Sequence, residues 1–348
     1  MIELSVLDEI IYYILRPEFF VPVIFPGLIT SMILLLITIW AERKIAAKVQ
    51  LRFGPLLISP RIGGLLQLIA DLLKFVFSEI IVPARAFKAL YILGPALLLS
   101  TSLLPLVVIP ISTSIHYSLY VIGNNGAYVP IYVNFSLIAA LALSMLTPIM
   151  VIMTAWATNN RFAVVGALRE GFLMITYDVL LIMSAFSMAI IYGGVDLFGF
   201  VNFQSSHYLG ILMNPISAFV FLVAMLLGSS RYPFEIVEAD TEIVIGPYTE
   251  YSGLLFILTM GGSYIKTFVY SILFSVIFLG GWLPFSGGIG ALFTVFKAII
   301  ILLFSVFLRS VYGRYRIDQA LRGAWKLMFL LAIISMVLSF IWRWFLVA

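Results

Sequence analysis

Long apolar runs fill most of the chain and alternate with short polar segments. Eight runs are long enough to cross a bilayer, because one helical span needs about 20 mostly apolar residues. They lie near residues 19–41, 89–112, 132–157, 172–192, 208–230, 252–280, 289–309 and 325–347. Backbone groups must be hydrogen-bonded within lipid, and runs of this length suit helices and not short alternating strands. The pattern predicts an all-α, polytopic integral membrane protein, with about eight transmembrane helices in one membrane domain, residues 1–348.

A ninth apolar stretch, residues 63–79, has a different pattern. Its polar side chains Gln67, Asp71, Lys74 and Ser78 recur at helical spacing and form one stripe along a helix. Such a helix is expected to lie at the membrane surface or against protein, and not to cross lipid. We therefore predict an amphipathic helix on the cytoplasmic side.

Composition and charge support the membrane assignment and give it an orientation. The 348 residues are 63% hydrophobic and 10% charged, whereas soluble domains are about 45–50% apolar and about 25% charged. Most of the 20 Lys and Arg residues fall in the connections 41–88, 158–171, 231–251 and 310–325. The positive-inside rule puts these loops in the cytoplasm and both termini outside.

The cysteine and histidine content narrows the chemistry. The chain has no cysteine, so it offers no thiolate for an iron–sulfur cluster, a disulfide or catalysis. Its two histidines, His116 and His207, fall in polar loops. That position does not suit a pair of haem ligands, and no metal site is predicted. The basic face suits anionic lipid or an acidic subunit, and nucleic acid is not indicated.

Carboxylates gather in the third cytoplasmic loop, 231–251. This loop carries one arginine and five acids: Arg231, Glu235, Glu238, Asp240, Glu242 and Glu250. A helix over 234–243 would place Glu235, Glu238 and Glu242 on one face, where mutual repulsion raises their pKa values. Such groups would exchange protons near neutral pH. The alternative is a solvated acidic loop that contacts a partner or pairs with Arg52 or Arg169.

Three ionisable residues fall within predicted spans, namely Asp178, Lys266 and Lys297. Charge is costly in lipid, so each is a functional candidate. Arg169 and Glu170 are expected just outside the fourth span. The alternative for each intramembrane group is a side chain that reaches to the interface or a buried ion pair.

Three ordered motifs, in consecutive cytoplasmic loops, resemble those of one family. The first combines Glu42-Arg43-Lys44, Gln50-Leu51-Arg52-Phe53-Gly54-Pro55 and GLLQLIADLLK at 64–74. The second runs from Trp156 to Asp178, and the third runs from Arg231-Tyr232-Pro233-Phe234-Glu235 to Glu250-Tyr251-Ser252-Gly253. Together they resemble the NuoH family, the membrane subunit of respiratory complex I (NADH-quinone oxidoreductase) at the foot of its peripheral arm.

The resemblance implies a non-redox subunit of a quinone oxidoreductase and proton translocase in the plasma membrane of a prokaryote. Family members form part of the quinone chamber where the membrane meets the hydrophilic arm. Subunits of that arm hold the terminal iron–sulfur cluster and the quinone headgroup site. This chain would bind no cofactor alone, with quinone as substrate at the interface. Its further partners would be small membrane subunits, antiporter-like subunits and lipid.

The resemblance also assigns roles to residues that match the motifs. The residues implied in the quinone chamber and in arm docking are Glu42, Arg43, Arg52, Phe53, Asp71 and Arg231. The residues implied in proton coupling are Glu235, Glu238, Asp240, Glu242 and Asp178. Replacing Glu238 or Glu242 with glutamine is expected to abolish coupled turnover while the complex still assembles.

Other functions remain open at this point. The chain reads Gly262-Ser263-Tyr264, followed by Lys266, where quinone-reducing members often carry Ala-Glu-Tyr. This spelling looks more like the related subunit of membrane-bound hydrogenases, so a membrane anchor and coupling subunit of such an energy-converting enzyme is the main alternative. A structural anchor without proton handling and a stand-alone secondary transporter are the others. The full motif set favours the complex I side.

Overall fold

The chain is almost entirely helical in the computed structural model, which describes residues 14–56, 58, 63–117 and 120–347. Within these ranges, seven helical segments are long and apolar enough to cross a membrane: Pro17–Val49, Lys88–Val107, Ser136–Ala157, Arg161–Tyr192, Gly253–Phe278, Gly287–Val311 and Ile317–Phe345. The shorter apolar helix Pro215–Gly228 lies where the fifth span is predicted. The prediction of an all-α polytopic membrane protein is confirmed.

The helices and strands have the following bounds. The helices are α1 Leu28–Val49, α2 Gln67–Val76, α3 Lys88–Leu103, α4 Ser136–Ser144, α5 Leu146–Ala157, α6 Arg161–Tyr192, α7 Leu197–Ser206, α8 Pro215–Gly228, α9 Gly253–Phe278, α10 Gly287–Val311, α11 Ile317–Gly323 and α12 Phe329–Val347. Short helical turns occur at Pro17–Phe19, Phe20–Ile24, Leu104–Val107, Gly210–Met213, Asp240–Ile243, Gly246–Tyr248 and Ala324–Met328. Two strands, β1 Ser112–Tyr117 and β2 Tyr120–Tyr128, form an antiparallel hairpin.

Helix α9 is the centre of the bundle. It packs against α1, α3, α8 and α10, and nearly all of its side chains from Ile265 to Phe278 are buried. Gly262 permits the close approach of α3, because a Cβ atom at this position would overlap the side chain of Leu98. Small residues have this role in membrane helix packing, since lipid gives helices no hydrophobic reason to associate. Polar groups on α9 are therefore shielded from lipid on all sides.

Helix α6 is longer than hydropathy predicts. The Asn160 side chain caps its N-terminus by accepting a hydrogen bond from the Phe162 amide at 2.8 Å, and Gly193 ends it in the left-handed conformation with φ +75°. The helix therefore begins well before residue 172. Placing Glu170 outside the span was wrong, because Glu170 lies on this helix and is buried.

Two surface elements flank the bundle. The predicted amphipathic helix is present as α2, which contacts α1 and α9 and buries Leu68. The hairpin of β1 and β2 was not predicted. Its first residue, Ser112, donates a hydrogen bond to the Gly287 carbonyl at 2.5 Å, which ties the hairpin to the start of α10. Both elements pack at helix ends, and α9 remains the central helix of the bundle.

The orientation of the bundle can be tested with single cysteines, because the chain has none of its own. Arg85 and Ser205 are exposed at opposite ends of the spans. With loop 41–88 in the cytoplasm, an impermeant maleimide is expected to label Ser205→Cys in intact cells and Arg85→Cys only after permeabilisation. Labelling of Arg85→Cys in intact cells would contradict the orientation. The predicted external termini themselves, residues 1–13 and Ala348, lie outside the described residues.

Candidate functional site

A cavity of about 640 Å³ opens between α1, α2, α9 and α10. Much of its wall is apolar, with Leu35, Leu36, Ile39, Ile257 and Met260 among the lining residues. Its polar lining consists of Glu42, Arg43, Gln50, Arg52, Asp71, Tyr232, Tyr264, Arg309 and Ser310, with the backbone of the neighbouring residues. A mainly apolar cleft with a few convergent polar groups is the usual form of a small-molecule site.

Most residues that the sequence assigns to a chamber line this cavity. Arg43 on α1 forms an ion pair with Asp71 on α2, with Nη1 and Oδ2 2.7 Å apart, so the two helices are joined across the mouth. Arg52 lies beside them and donates from Nε to the Gln50 side chain at 2.6 Å. Phe53 does not line the cavity, because its side chain is 91% exposed on the loop.

Glu42 holds the inner end of the cavity together. It forms an ion pair with Arg309 of α10 and accepts a hydrogen bond from the Tyr264 hydroxyl at 2.8 Å. The Arg231 guanidinium stacks on the Tyr264 ring, 3.4 Å from its centroid, and Arg309 also reaches Glu235, with Nη2 and Oε1 3.9 Å apart. Two acids and two arginines thus meet at the inner end of the cavity, contributed by α1, α10 and the third cytoplasmic loop, and Tyr264 of α9 contacts two of them.

The acidic loop is not the helix that its spacing suggests. Within 234–243 only Asp240–Ile243 is helical, and the preceding residues turn tightly, with the Phe234 amide donating to the Arg231 carbonyl at 2.7 Å. The prediction of a helix over 234–243 is wrong. Burial of Ile236 and Val237 against the bundle decides the path of these residues instead.

This path separates the carboxylates of the loop into two groups. Glu235 and Glu238 face the protein, and desolvation raises the pKa of both, for Glu238 to about 7 despite the opposing charge of Arg231. Asp240 and Glu242 are exposed. Mutual repulsion on one helix face is therefore not the cause of the shifts, which come mainly from burial.

The pKa of Glu242 shifts in the direction opposite to the prediction. Arg169 and Arg314 lie 2.6 and 3.1 Å from its carboxylate oxygens, and the hydrogen bond from Arg169 lowers its pKa below the usual value. The prediction of a raised pKa at Glu242 was wrong, and the alternative, pairing of Glu242 with Arg169, is observed. The alternative pairing with Arg52 does not occur among the described contacts.

Four ionisable residues form a cluster inside the membrane bundle. Glu170, Tyr177 and Asp178 lie on α6 and Lys266 lies on α9, and all four are buried. Lys266 donates to the Tyr177 hydroxyl at 3.2 Å, and Tyr177 donates to Glu170 at 3.0 Å. The Lys266 ammonium is 4.0 Å from the Glu170 carboxylate. Charge is thus present well inside the bundle, as the sequence predicted for Asp178 and Lys266.

The cluster and the acidic loop meet at a second, small cavity. Glu238, Glu170 and Lys266 are all in its lining, and its volume is about 20 Å³, enough for one water molecule. A third cavity of about 10 Å³ adjoins the large one and is lined by Glu42, Arg231 and neighbouring residues. Ionisable groups therefore line all three cavities, from Glu42 beside the large one to Glu238, Glu170 and Lys266 beside the small one.

Several members of this path carried no clear sequence signal. Arg309 lies at the end of a predicted span and belongs to none of the three motifs, and Tyr264 was noted only as part of Gly262-Ser263-Tyr264, with no role assigned to it. Glu170 and Tyr177 are seven residues apart and share a helix face. This relation was not recognised from the sequence, because the fourth span was predicted to begin only at residue 172. Among the described residues, no group of three or more His, Asp or Glu side chains is arranged to hold a metal ion.

The chain is similar to known proteins over most of its length. The protein family described as NADH dehydrogenase matches residues 23–340. The chain is 32% identical over 325 residues to the H subunit of NADH-quinone oxidoreductase from Geobacillus kaustophilus (strain HTA426), covering 92% of this chain and 93% of that protein. It is 30% identical over 318 residues to the protein of the same name from Pelagibacter ubique (strain HTCC1062), and this match covers 90% of this chain and 91% of that protein. These matches include the cavity and the charged path.

The protonation of Glu238 gives a direct test of this site. Because its pKa is raised to about 7, the carboxyl is protonated in mildly acidic solution and ionised above neutrality. Infrared titration of the purified protein is expected to find a protonated-carboxyl band with a midpoint near pH 7. Glu238→Gln should remove this band, and the control Glu242→Gln should leave it in place. A band unaffected by Glu238→Gln would contradict the assignment.

Proposed function

The chain belongs to the NuoH family, the H subunits of NADH-quinone oxidoreductase in the membrane part of complex I, and we propose that it forms part of the quinone chamber and couples quinone reduction to proton translocation. Quinone would be the substrate in the large cavity, and electrons would come from iron–sulfur clusters in subunits of the hydrophilic arm. The chain itself would supply the walls of the chamber and the first proton-exchanging groups.

One observation carries this proposal: the large apolar cavity ends directly at the buried charged network around Glu42. Reduction of a quinone to a quinol consumes two electrons and two protons, and between the arrival of the electrons and that of the protons the end of such a cavity carries added negative charge. Three linked charged residues are positioned to respond electrostatically to that change. Glu42 pairs with Arg309 and binds the Tyr264 hydroxyl, and Arg231 stacks on the Tyr264 ring. A plain structural anchor would not require this juxtaposition.

The charge change can reach Glu238 with useful strength. At an effective dielectric constant of about 20, a unit charge contributes roughly 1.7 kcal/mol, or about one pKa unit, at a carboxyl that lies about 10 Å from it. Because the pKa of Glu238 is about 7, a shift of this size changes its protonation at physiological pH. Glu238 would thereby take up or release a proton as the quinone is reduced, and the small cavity beyond it leads to Glu170.

The exposed tip of the first cytoplasmic loop supports docking of the hydrophilic arm. The side chains of Leu51 and Phe53 are 96% and 91% exposed, with Arg52 between them. Exposed aromatic residues beside an arginine are typical anchors of interfaces. Phe53 would therefore bind the arm and not the quinone.

Lys266 favours the second candidate, a coupling subunit of a membrane-bound hydrogenase, because a buried lysine follows Gly262-Ser263-Tyr264. The two relatives described above are named as subunits of NADH-quinone oxidoreductase, which weighs against it. The two functions differ in the acceptor of electrons. Quinone reduction by the purified complex supports the first, and hydrogen evolution without quinone reduction supports the second.

The coupling role predicts different results for two acids of the same loop. In proteoliposomes supplied with NADH and a short-chain quinone, Glu238→Gln is expected to lower proton translocation by about tenfold or more, the loss expected when a positioned proton carrier is removed. Glu242→Gln is expected to translocate protons at nearly the wild-type rate, because Glu242 is exposed and held by two arginines. Equal rates in the two variants would contradict the proposal, with complex assembly checked in both.

Occupation of the cavity by quinone predicts an effect of filling it. Ile39 lines the cavity, whereas its neighbour Ile37 does not and is 38% exposed on the outer surface of α1. Ile39→Trp is expected to raise the KM for the short-chain quinone by about tenfold, or roughly 1.4 kcal/mol of binding. Ile37→Trp, the matched control, should leave the KM unchanged. An unchanged KM in Ile39→Trp would place the quinone elsewhere.

A further inference from the structure

Lys266 stands between two buried acids of α6. Its ammonium is 4.0 Å from the nearer Glu170 oxygen, and Asp178, also buried, lies eight residues further along the same helix. The rise of 1.5 Å per residue separates the two acids by about 12 Å along the helix axis. The long lysine side chain can therefore form a close ion pair with one acid or the other, but not with both at once.

The contacts of Lys266 are incomplete in the observed position. An ammonium has three donors, and the one hydrogen bond described for it goes to the Tyr177 hydroxyl. The distance to Glu170 is too long for a direct hydrogen bond, and the adjoining cavity of about 20 Å³ leaves free volume beside the ammonium. The ring faces of Tyr177 and Tyr270 lie 4.8 and 5.8 Å away and stabilise a cation without fixing its direction.

Asp178 supplies the second, independent observation. Its Oδ1 atom is buried and accepts no hydrogen bond from any residue that the structure describes. An ionised carboxylate with a bare buried oxygen is costly, so Asp178 in this arrangement is expected to hold a proton. A cation moving toward Asp178 would remove that cost.

The other intramembrane lysine has a different environment. The Lys297 ammonium donates to the carbonyls of Leu279, Gly281 and Leu283, at 2.7, 2.8 and 2.9 Å. All three of its donors are used, and the carbonyls belong to the chain just after α9. Lys297 is therefore a fixed cap of this helix end, which makes it a matched control for Lys266.

We propose that Lys266 is a switching residue whose ammonium pairs alternately with Glu170 and with Asp178, so that only one of the two acids is ionised at a time. This inference deepens the proposed function, on which it rests. The structure corresponds to the state with the ammonium on the Glu170 side and Asp178 protonated. The other titratable groups that face the ammonium are Tyr177 and Tyr270, and Glu238 and Tyr248 across the cavity.

The proton balance of one cycle is simple. A proton leaves the Glu238 carboxyl and binds the Glu170 carboxylate, through a water molecule in the small cavity. Neutral Glu170 no longer holds the ammonium, which moves to Asp178, and the Asp178 proton leaves to a buried carboxylate of an adjacent membrane subunit. The proton on Glu170 then passes to Asp178, and the ammonium returns to Glu170. Glu238 takes a replacement proton from the side of the large cavity, which closes the cycle. One proton has then moved from Glu238 to the adjacent subunit, and Lys266 keeps its own throughout.

Infrared spectra of the purified complex test the switch without turnover. The Asp178 carboxyl band is assigned by its loss in Asp178→Asn and is expected in the wild type at pH 7. In Glu170→Gln the ammonium is free to pair with Asp178, so the ratio of protonated to ionised Asp178 should fall at least about tenfold, which corresponds to one pKa unit. In Glu170→Gln combined with Lys266→Met the band should return. Lys266→Gln replaces Lys266→Met if that variant fails to assemble.

The control is Glu170→Gln combined with Lys297→Met, in which the Asp178 band should stay lost. An Asp178 band unchanged by Glu170→Gln, or restored equally by Lys297→Met, would overturn the switch. Proton translocation separates this inference from the proposed function. Lys266→Met should lower it about tenfold, as Glu238→Gln does. If Glu238→Gln fails to translocate but Lys266→Met translocates normally, the switch is wrong and the coupling function stands. Normal translocation in Glu238→Gln contradicts the coupling function itself.

Discussion

The cost of placing charge inside a membrane bundle is the constraint on which this structure depends. Neither lipid nor a packed helical interior solvates an ion well, so each buried charge needs a partner within reach. The chain meets this need in three ways: Glu42 pairs with Arg309, Arg231 lies on the ring of Tyr264, and Lys297 binds three carbonyls. Helix α9 is central because it carries or contacts most of these groups.

The same constraint divides the acids of the third cytoplasmic loop. Burial of the apolar residues Ile236 and Val237 draws Glu235 and Glu238 into the protein, where desolvation raises the pKa of both. Glu242 stays at the surface between two arginines, and its pKa is lowered. Glu238 and Glu242 carry the same charge and are close in sequence, yet their pKa values shift in opposite directions. Their surroundings, and not their spacing, set their protonation.

The cavity and the buried charges gain their significance from being adjacent. An apolar cleft of about 640 Å³ would be an ordinary binding site by itself, and an intramembrane acid would be an ordinary buried ion pair. Their placement end to end is the basis for the proposal that quinone reduction in the cavity is coupled to proton movement among the buried groups. Incomplete contacts at Lys266 and Asp178 leave that series free to change state, whereas the satisfied contacts of Lys297 do not.

The sequence by itself determined the helical membrane class, the apolar helix in each predicted span, the amphipathic α2 and the family, because these depend on local apolar length, charge bias and short motifs. It also found the intramembrane charges Asp178 and Lys266, since a charged residue stands out in an apolar run. Only the tertiary structure decided which acids are buried, that Glu170 belongs to the membrane cluster, and that Tyr264 and Arg309 close the cavity. The physical reason is that protonation and pairing depend on contacts between distant helices, as between Glu42 and Arg309, which local pattern does not contain.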